Sequence, residues 1–182
     1  MTRTHHHALE LLERALAYTR VSLSMVGPDR SGQSPCAGWS LADLLAHMDD
    51  GLDAFLEAAE GAVRVEVPRA AGADLSALQS KACRLLGVWG SQSPPMVVVG
   101  DRELPAGLLV SAAALEITVH GWDVARATGA DHEVPEDLAR ALMPVAHAVV
   151  TPEDRAERFA APLRTPPDAS SAEVLLGFLG RG

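Results

Sequence analysis

Glu116 and His120 stand four residues apart in the stretch Ala114-Leu-Glu-Ile-Thr-Val-His-Gly-Trp-Asp-Val-Ala-Arg126. On a helix, that spacing sends both side chains off one face, one turn apart. Leu115, Ile117, Val119, Trp122 and Val124 surround them, so the helix is expected to be largely buried. A carboxylate and an imidazole in an apolar interior are costly unless each finds a partner. A divalent metal is one such partner, given a third ligand, and His47 in the other strongly patterned segment is the best candidate. Two histidines and a carboxylate with one open position form the usual ligand set of catalytic zinc.

Spacing alone is a weak signal. With 7 His and 24 acidic residues in the chain, an acid four residues before a His arises by chance, and Asp43 before His47 fits the same template. A hydrogen-bonded pair without metal competes for Glu116 and His120. The weight comes from convergence, because two helices each place a histidine beside an apolar stripe.

The neighbours suggest supporting roles. Asp123, one turn beyond His120, is placed to accept that ring's free N–H or to reach a metal through water, although it would serve equally as a helix-surface acid. Arg126 is the candidate for holding an anionic group of substrate or cofactor, and a cation in the last turn also suits the helix dipole. Trp39 and Trp122 read as packing. Cys36 lies just before a helix start, where a thiol pKa can fall, but an unreactive buried thiol is the simpler reading, and Cys83 is expected in the core. His5, His6 and His7 read more simply as a frayed solvated end, or an expression scar, than as a metal site.

These residues need helices to hold them. From His7 to Val26, Ala8, Leu11, Leu12, Ala15, Tyr18, Thr19, Ser22 and Met25 fall on one stripe, which Gly27-Pro28 ends. Ser40 is a good N-cap with Asp43 three residues on, and the second helix runs to about Ala59. Leu41, Leu44, Leu45, Met48, Leu52 and Phe55 make its apolar stripe, with His47 on the flank, while Asp49, Asp50, Asp53 and Glu57 read as its solvated face. Val63, Val65 and Val67 alternate with charges as in a short strand or extended link. A third helix spans Asp74 to Trp89, and Met96–Val99 forms a short strand ending in a turn at Gly100-Asp101. The fourth helix begins after Pro105 and stops near Thr128 before Gly129. A fifth covers Pro135 to Val150, and an apolar tail follows Pro162, Pro166 and Pro167. The pattern predicts an all-α protein: an antiparallel four-helix bundle with an extra helix, a C-terminal tail and short β segments. Residues 1–150 form the metal-binding bundle, and 151–182 form an extension packed on it.

Apolar residues make up 48% of the 182, which suits a folded core. The formal charge of −9 argues against nucleic acid as a partner. No unbroken apolar run reaches the roughly 20 residues of a membrane span, so no membrane partner is expected. The first residues lack the apolar stretch of a signal peptide, which makes a cytoplasmic location the expectation. Two cysteines are too few for a disulfide scaffold. A monomer or homodimer is expected.

The segment Ser34-Pro-Cys-Ala-Gly-Trp-Ser-Leu-Ala-Asp-Leu-Leu-Ala-His47 resembles the start of helix 2 in the DinB/YfiT-like superfamily. It is most similar to the actinobacterial branch related to mycothiol-dependent maleylpyruvate isomerase. Glu116-Ile-Thr-Val-His-Gly-Trp-Asp-Val-Ala-Arg-Ala-Thr-Gly129 resembles the helix-4 motif of that branch, and the tail from Phe159 to Gly182 resembles its metal-binding members. The resemblance implies a four-helix bundle DinB fold holding one divalent ion, usually zinc, with nickel an alternative. Its ligands would be His47, Glu116 and His120. It does not extend to the larger C-terminal domain of the isomerase, nor to arginines that would clamp a dicarboxylate.

What the resemblance implies chemically is a metal-dependent enzyme using a low-molecular-weight thiol, mycothiol or similar, as co-substrate. Zinc deprotonates a bound thiol at neutral pH. The thiol then attacks a small electrophilic substrate, giving S-transfer, or adds and eliminates to isomerise a double bond. A metal-dependent hydrolase is the variant with water in place of thiol. A non-catalytic metal-binding bundle, serving as a ligand binder or stress-related sensor, needs the same three ligands.

Overall fold

Trp89 shows how the helices are held together. Its indole N–H donates to the Phe55 carbonyl at 3.0 Å, and its own carbonyl lies 3.3 Å from Nε2 of His5. A carbonyl can only accept, so His5 carries its proton on Nε2. Three helices therefore meet at one fully buried tryptophan: α1 (Arg3–Ser24), α2 (Leu41–Ala58) and α3 (Leu75–Ser91). The computed structural model describes residues 3–36, 38–63, 74–91, 93–152, 155 and 159–182.

This arrangement corrects the reading of the N-terminal histidines. The first helix begins at Arg3, four residues earlier than its apolar stripe announced, and His5 is 7% exposed. His6 and His7 stay on the surface beside Glu10, at 3.4 and 3.6 Å. The helix extends because one histidine of the run gains a buried hydrogen bond. Of the expected stripe, Ala8, Leu11, Leu12, Ala15, Tyr18, Thr19 and Ser22 are buried, and Met25 beyond the helix end is not.

Capping fixes α2 where the sequence placed it. The Ser40 hydroxyl accepts from the Asp43 N–H, and the Asp43 carboxylate accepts from the Ser40 N–H and hydroxyl at 2.9 and 2.6 Å. These bonds hold the Asp43 carboxyl below its ordinary value. The α2 acids, however, are not all simply solvated. Lys81 on α3, the chain's single lysine, binds Asp49 at 2.8 Å and Asp53 at 2.7 Å. Partial burial alone would lower the Lys81 pKa, but the bonds to both carboxylates and their charges raise it above 10.5.

Between α3 and α4 (Ala106–Ala127) lies a β-hairpin, with β2 (Met96–Val99) antiparallel to β3 (Arg102–Pro105). Gly100 takes φ +61 at the first turn position, which a two-residue hairpin turn requires. The third strand was not expected, since Arg-Glu-Leu-Pro lacks strand-forming residues; its pairing to β2 supplies the order. β1 (Ala62–Val63) adds to β2 in parallel. Val65 and Val67 lie outside the described residues.

The fourth helix runs from Ala106 to Ala127 as expected, and Gly129 at φ +72 ends it. Its length and composition would suit a membrane span, yet 72% of its most apolar window is buried as the bundle's core. α2 runs antiparallel to α4, and α3 brings its C-terminal end to the start of α1. α1 and α4 run in the same direction, with Thr4 and His5 against Gly107 and Thr19 against Gly121. The fold is an all-α four-helix bundle with a small sheet.

The chain groups into two compact units, Met1–His132 and Glu133–Gly182. The bundle just described belongs to the first. In the second, α5 (Glu136–Val149) packs on α6 (Ser171–Phe178), burying Leu138, Leu142, Leu175, Leu176 and Leu179. The Glu136 carboxylate accepts from the Ser171 N–H at 2.9 Å, and Ser170 and Glu173 form a second capping box.

Candidate functional site

His47 projects from α2 toward Glu116 on α4, and its Nε2 lies 3.4 Å from Glu116 Oε1. The His47 and His120 rings meet edge to face with centroids 4.9 Å apart. Each of the three residues offers one ligand atom, and those atoms all lie within 4.8 Å of one another. Bonds of about 2.0–2.1 Å in a tetrahedral shell would hold two ligand atoms about 3.3 Å apart. The donor types and the 3.4 Å separation therefore fit a divalent ion such as zinc. Gly51, one turn after His47, faces the Glu116 carboxylate, and a methyl group there would lie in ordinary contact at 3.5 Å from its Oε1.

Asp123 settles the orientation of His120. It is fully buried, and its Oδ2 lies 3.0 Å from His120 Nδ1. A carboxylate accepts, so Nδ1 carries the proton and the Nε2 lone pair is left for a ligand. Cys36 Sγ also donates to Asp123 Oδ2, at 3.3 Å. Cys36, His120 and Asp123 form a second close cluster sharing His120, but there the contacts are hydrogen bonds already made. It reads as a support that fixes the imidazole from behind.

Exposure grades across the site. The side chains of His47 and Glu116 are 38% and 41% exposed, that of His120 only 12%, and Asp123 none. The cluster thus has a rigid inner side and an open outer one. Trp39 closes one flank, its ring 4.9 Å from that of His47. Beside Glu116 and His120 opens a cavity of about 440 Å³, walled by residues of α1, α2, α3 and α4. Met48, Leu52, Phe55, Leu78, Leu86 and Ile117 are among the apolar residues that line it.

Arg126 is placed differently. It is exposed, its guanidinium lies over the Trp122 ring at 5.1 Å, and it is not among the residues lining the cavity. The cation on the cavity wall is Arg20 of α1, which sequence reasoning had not singled out. Nothing in the α1 pattern marks it, because an exposed arginine on a polar flank looks like any other. Cys83 is exposed and lines the cavity mouth, contrary to its expected place in the core. It lies one position off the α3 stripe that buries Leu78 and Leu85. Cys36, expected as a buried bystander, is half-buried and bonded to Asp123.

Residues 9–125, which include all three cluster residues, match the family model described as the mycothiol maleylpyruvate isomerase N-terminal domain. An uncharacterized protein found in two strains of Mycobacterium tuberculosis is 28% identical over 155 residues, spanning 82% of this chain and 84% of its own length. The crystal structure of a mycothiol-dependent maleylpyruvate isomerase superposes with a TM-score of 0.53 at 22% identity, over 78% of this chain and 70% of that one. A histidine-to-alanine mutant of the isomerase gives 0.54 with the same coverage. At that identity the likeness is one of fold.

Proposed function

The chain belongs to the mycothiol maleylpyruvate isomerase N-terminal domain family, and from that premise we propose a divalent-metal-dependent enzyme that uses a low-molecular-weight thiol on a small electrophile. The observation that carries this reading is the meeting of His47, Glu116 and His120 within 4.8 Å, beside a cavity large enough for a substrate. These three residues would hold the ion, zinc or nickel, which when bound acidifies a thiol or water at its open position.

The protein's own groups do the rest. Asp123 holds the Nδ1 proton of His120 and so presents Nε2 toward the cluster. Glu116 brings one negative charge, which tempers the acidity of an ion held otherwise by neutral imidazoles. Trp39 flanks the His47 ring, and the apolar wall lines the cavity beside the cluster. The open side of the cluster, where His47 and Glu116 are partly exposed, admits the thiol.

In the transfer reaction, a sulfur–carbon bond forms at the electrophilic carbon as the leaving group departs with its electron pair, and the thiol proton is released. In the isomerisation, sulfur adds to one end of a double bond. Rotation about the resulting single bond and expulsion of the same thiol then restore the alkene in its other geometry. Mycothiol, named for the structural relative, is the thiol class we assign here. A closed structural metal site would have no use for an adjoining cavity, and this favours catalysis over a purely structural ion.

The test has two parts. Purified protein should carry close to one equivalent of divalent metal, and His120→Ala should lose it; unchanged metal content in the variant would defeat the ligand assignment. The zinc-loaded protein should consume mycothiol with monochlorobimane faster than the metal-stripped protein does, and equal rates would count against transfer to that electrophile.

A further inference from the structure

We propose that the cavity beside the cluster selects an electrophile with an apolar body carrying no more than one negative charge. The proposal rests on reading His47, Glu116 and His120 as the reactive end, and it adds the substrate class.

At about 440 Å³ the cavity falls among small-molecule sites, which typically range from about 300 to 1,000 Å³. Its polar corner is formed by Glu116 and His120. The Thr19 hydroxyl also faces this region, but it is committed to the Ile117 carbonyl at 2.7 Å. The remaining polar members, Arg20, Gln79 and Cys83, are exposed, so they sit at the mouth. Buried Met48, Leu52 and Leu78 form the floor.

Charge decides between substrate classes. Among the described lining residues Arg20 is the single lysine or arginine, and the negative Glu116 stands at the cluster end of the cavity. A dicarboxylate could pair one group with Arg20 at the mouth. Its second would lie unpaired against leucine and methionine, which is unfavourable, or at the cluster, where it would compete with the thiol for the ion's open position. A phenyl or branched alkyl body gains from the same surface, because it displaces water from apolar walls. For an α,β-unsaturated ketone, sulfur would bond to the β-carbon. The double-bond electrons shift to the α-carbon, which takes up the proton released by the thiol, so no other reactant is needed.

Binding is read apart from turnover, with the zinc-loaded full chain and no thiol. In isothermal titration, 4-phenylbutan-2-one, an unreactive apolar ketone, should bind at least tenfold more tightly than maleate. Ala82→Phe, which drives a ring into the cavity from α3, should weaken ketone binding tenfold or more. Leu86→Asn, which makes the same wall polar, should do so as well and serves if Ala82→Phe fails to fold. Tighter binding of maleate, no saturable binding of ketone, or ketone binding unaffected by the wall variants would each overturn the proposal. Thiol consumption with 4-phenylbut-3-en-2-one then tests the underlying function separately. If the ketone binds as expected but neither the enone nor maleate accelerates thiol loss, the ligand class stands and the thiol chemistry falls.

Discussion

Gly121, between His120 and Trp122, tests how closely α1 and α4 must approach for the site to exist. A methyl group at position 121 would come within 3.0 Å of the Thr19 Cβ and 3.2 Å of its Cα, with Oγ1 closer still. Thr19 cannot swing away freely, since its hydroxyl is buried and donates to Ile117 at 2.7 Å. Helix propensity pulls the other way, because alanine is favoured over glycine in a helix interior by about 1 kcal/mol. Overpacking costs about 1–3 kcal/mol, and displacing a buried hydroxyl from its acceptor costs about 1–3 kcal/mol more. The penalties outweigh the gain, so Gly121→Ala should destabilise by about 1–5 kcal/mol net. For a chain of this size that lowers Tm by about 2–20 °C. Thermal unfolding followed by circular dichroism reads it. Thr19→Ala should cost stability alone but restore part of it in the Gly121→Ala background, a coupling of about 1 kcal/mol. A Gly121→Ala protein as stable as the parent, or strictly additive variants, would show that the two backbones are not held in tight contact and would refute the argument.

Other expectations follow from individual contacts. Asp123→Asn should keep the fold but lower metal affinity about 10–100-fold, because the amide no longer holds His120 as a charged acceptor; competition with a chromophoric chelator measures this. Lys81→Met should cost about 1 kcal/mol near neutral pH. The pKa of Lys81 is raised in the folded state, so its contribution is whole below 10.5 and is lost as pH climbs through the folded value; the variant's stability should fall less steeply there. Ser40→Ala should cost about 1 kcal/mol through the α2 cap. The Asp43 pKa is depressed, so that cap is intact above 3.8 and fails as pH drops below it, and the gap between parent and variant should narrow on acidification, as denaturant titrations at several pH values would show.

The extents of α2 and α4 and the stop at Gly129 were legible from the sequence, because periodicity, an N-cap serine and a positive-φ glycine act within a few residues of the chain. So was the spacing of Glu116 and His120 on one helix face. Legible too, once the motifs around His47 and His120 were compared with a known family, was the membership of the chain.

What lay beyond reach depends on contacts between distant segments. The run His5-His6-His7 looks alike by composition, yet one member is buried because Trp89 offers it a carbonyl from 84 positions away. Asp49 and Asp53 look solvated on their own helix until Lys81 arrives from another. Asp123 looked as suited to the surface as to the site, and only the folded chain buries it, with Cys36 donating to it from 87 positions away, behind His120. Arg126 and Arg20 are both exposed arginines on helices, and the packing of α1 beside α4 places the second at the cavity and leaves the first on Trp122. The sequence by itself determined which residues share a helix face. Tertiary structure alone decided which faces meet, because the close approach of α1 to α4 at Gly121 joins segments far apart in the chain.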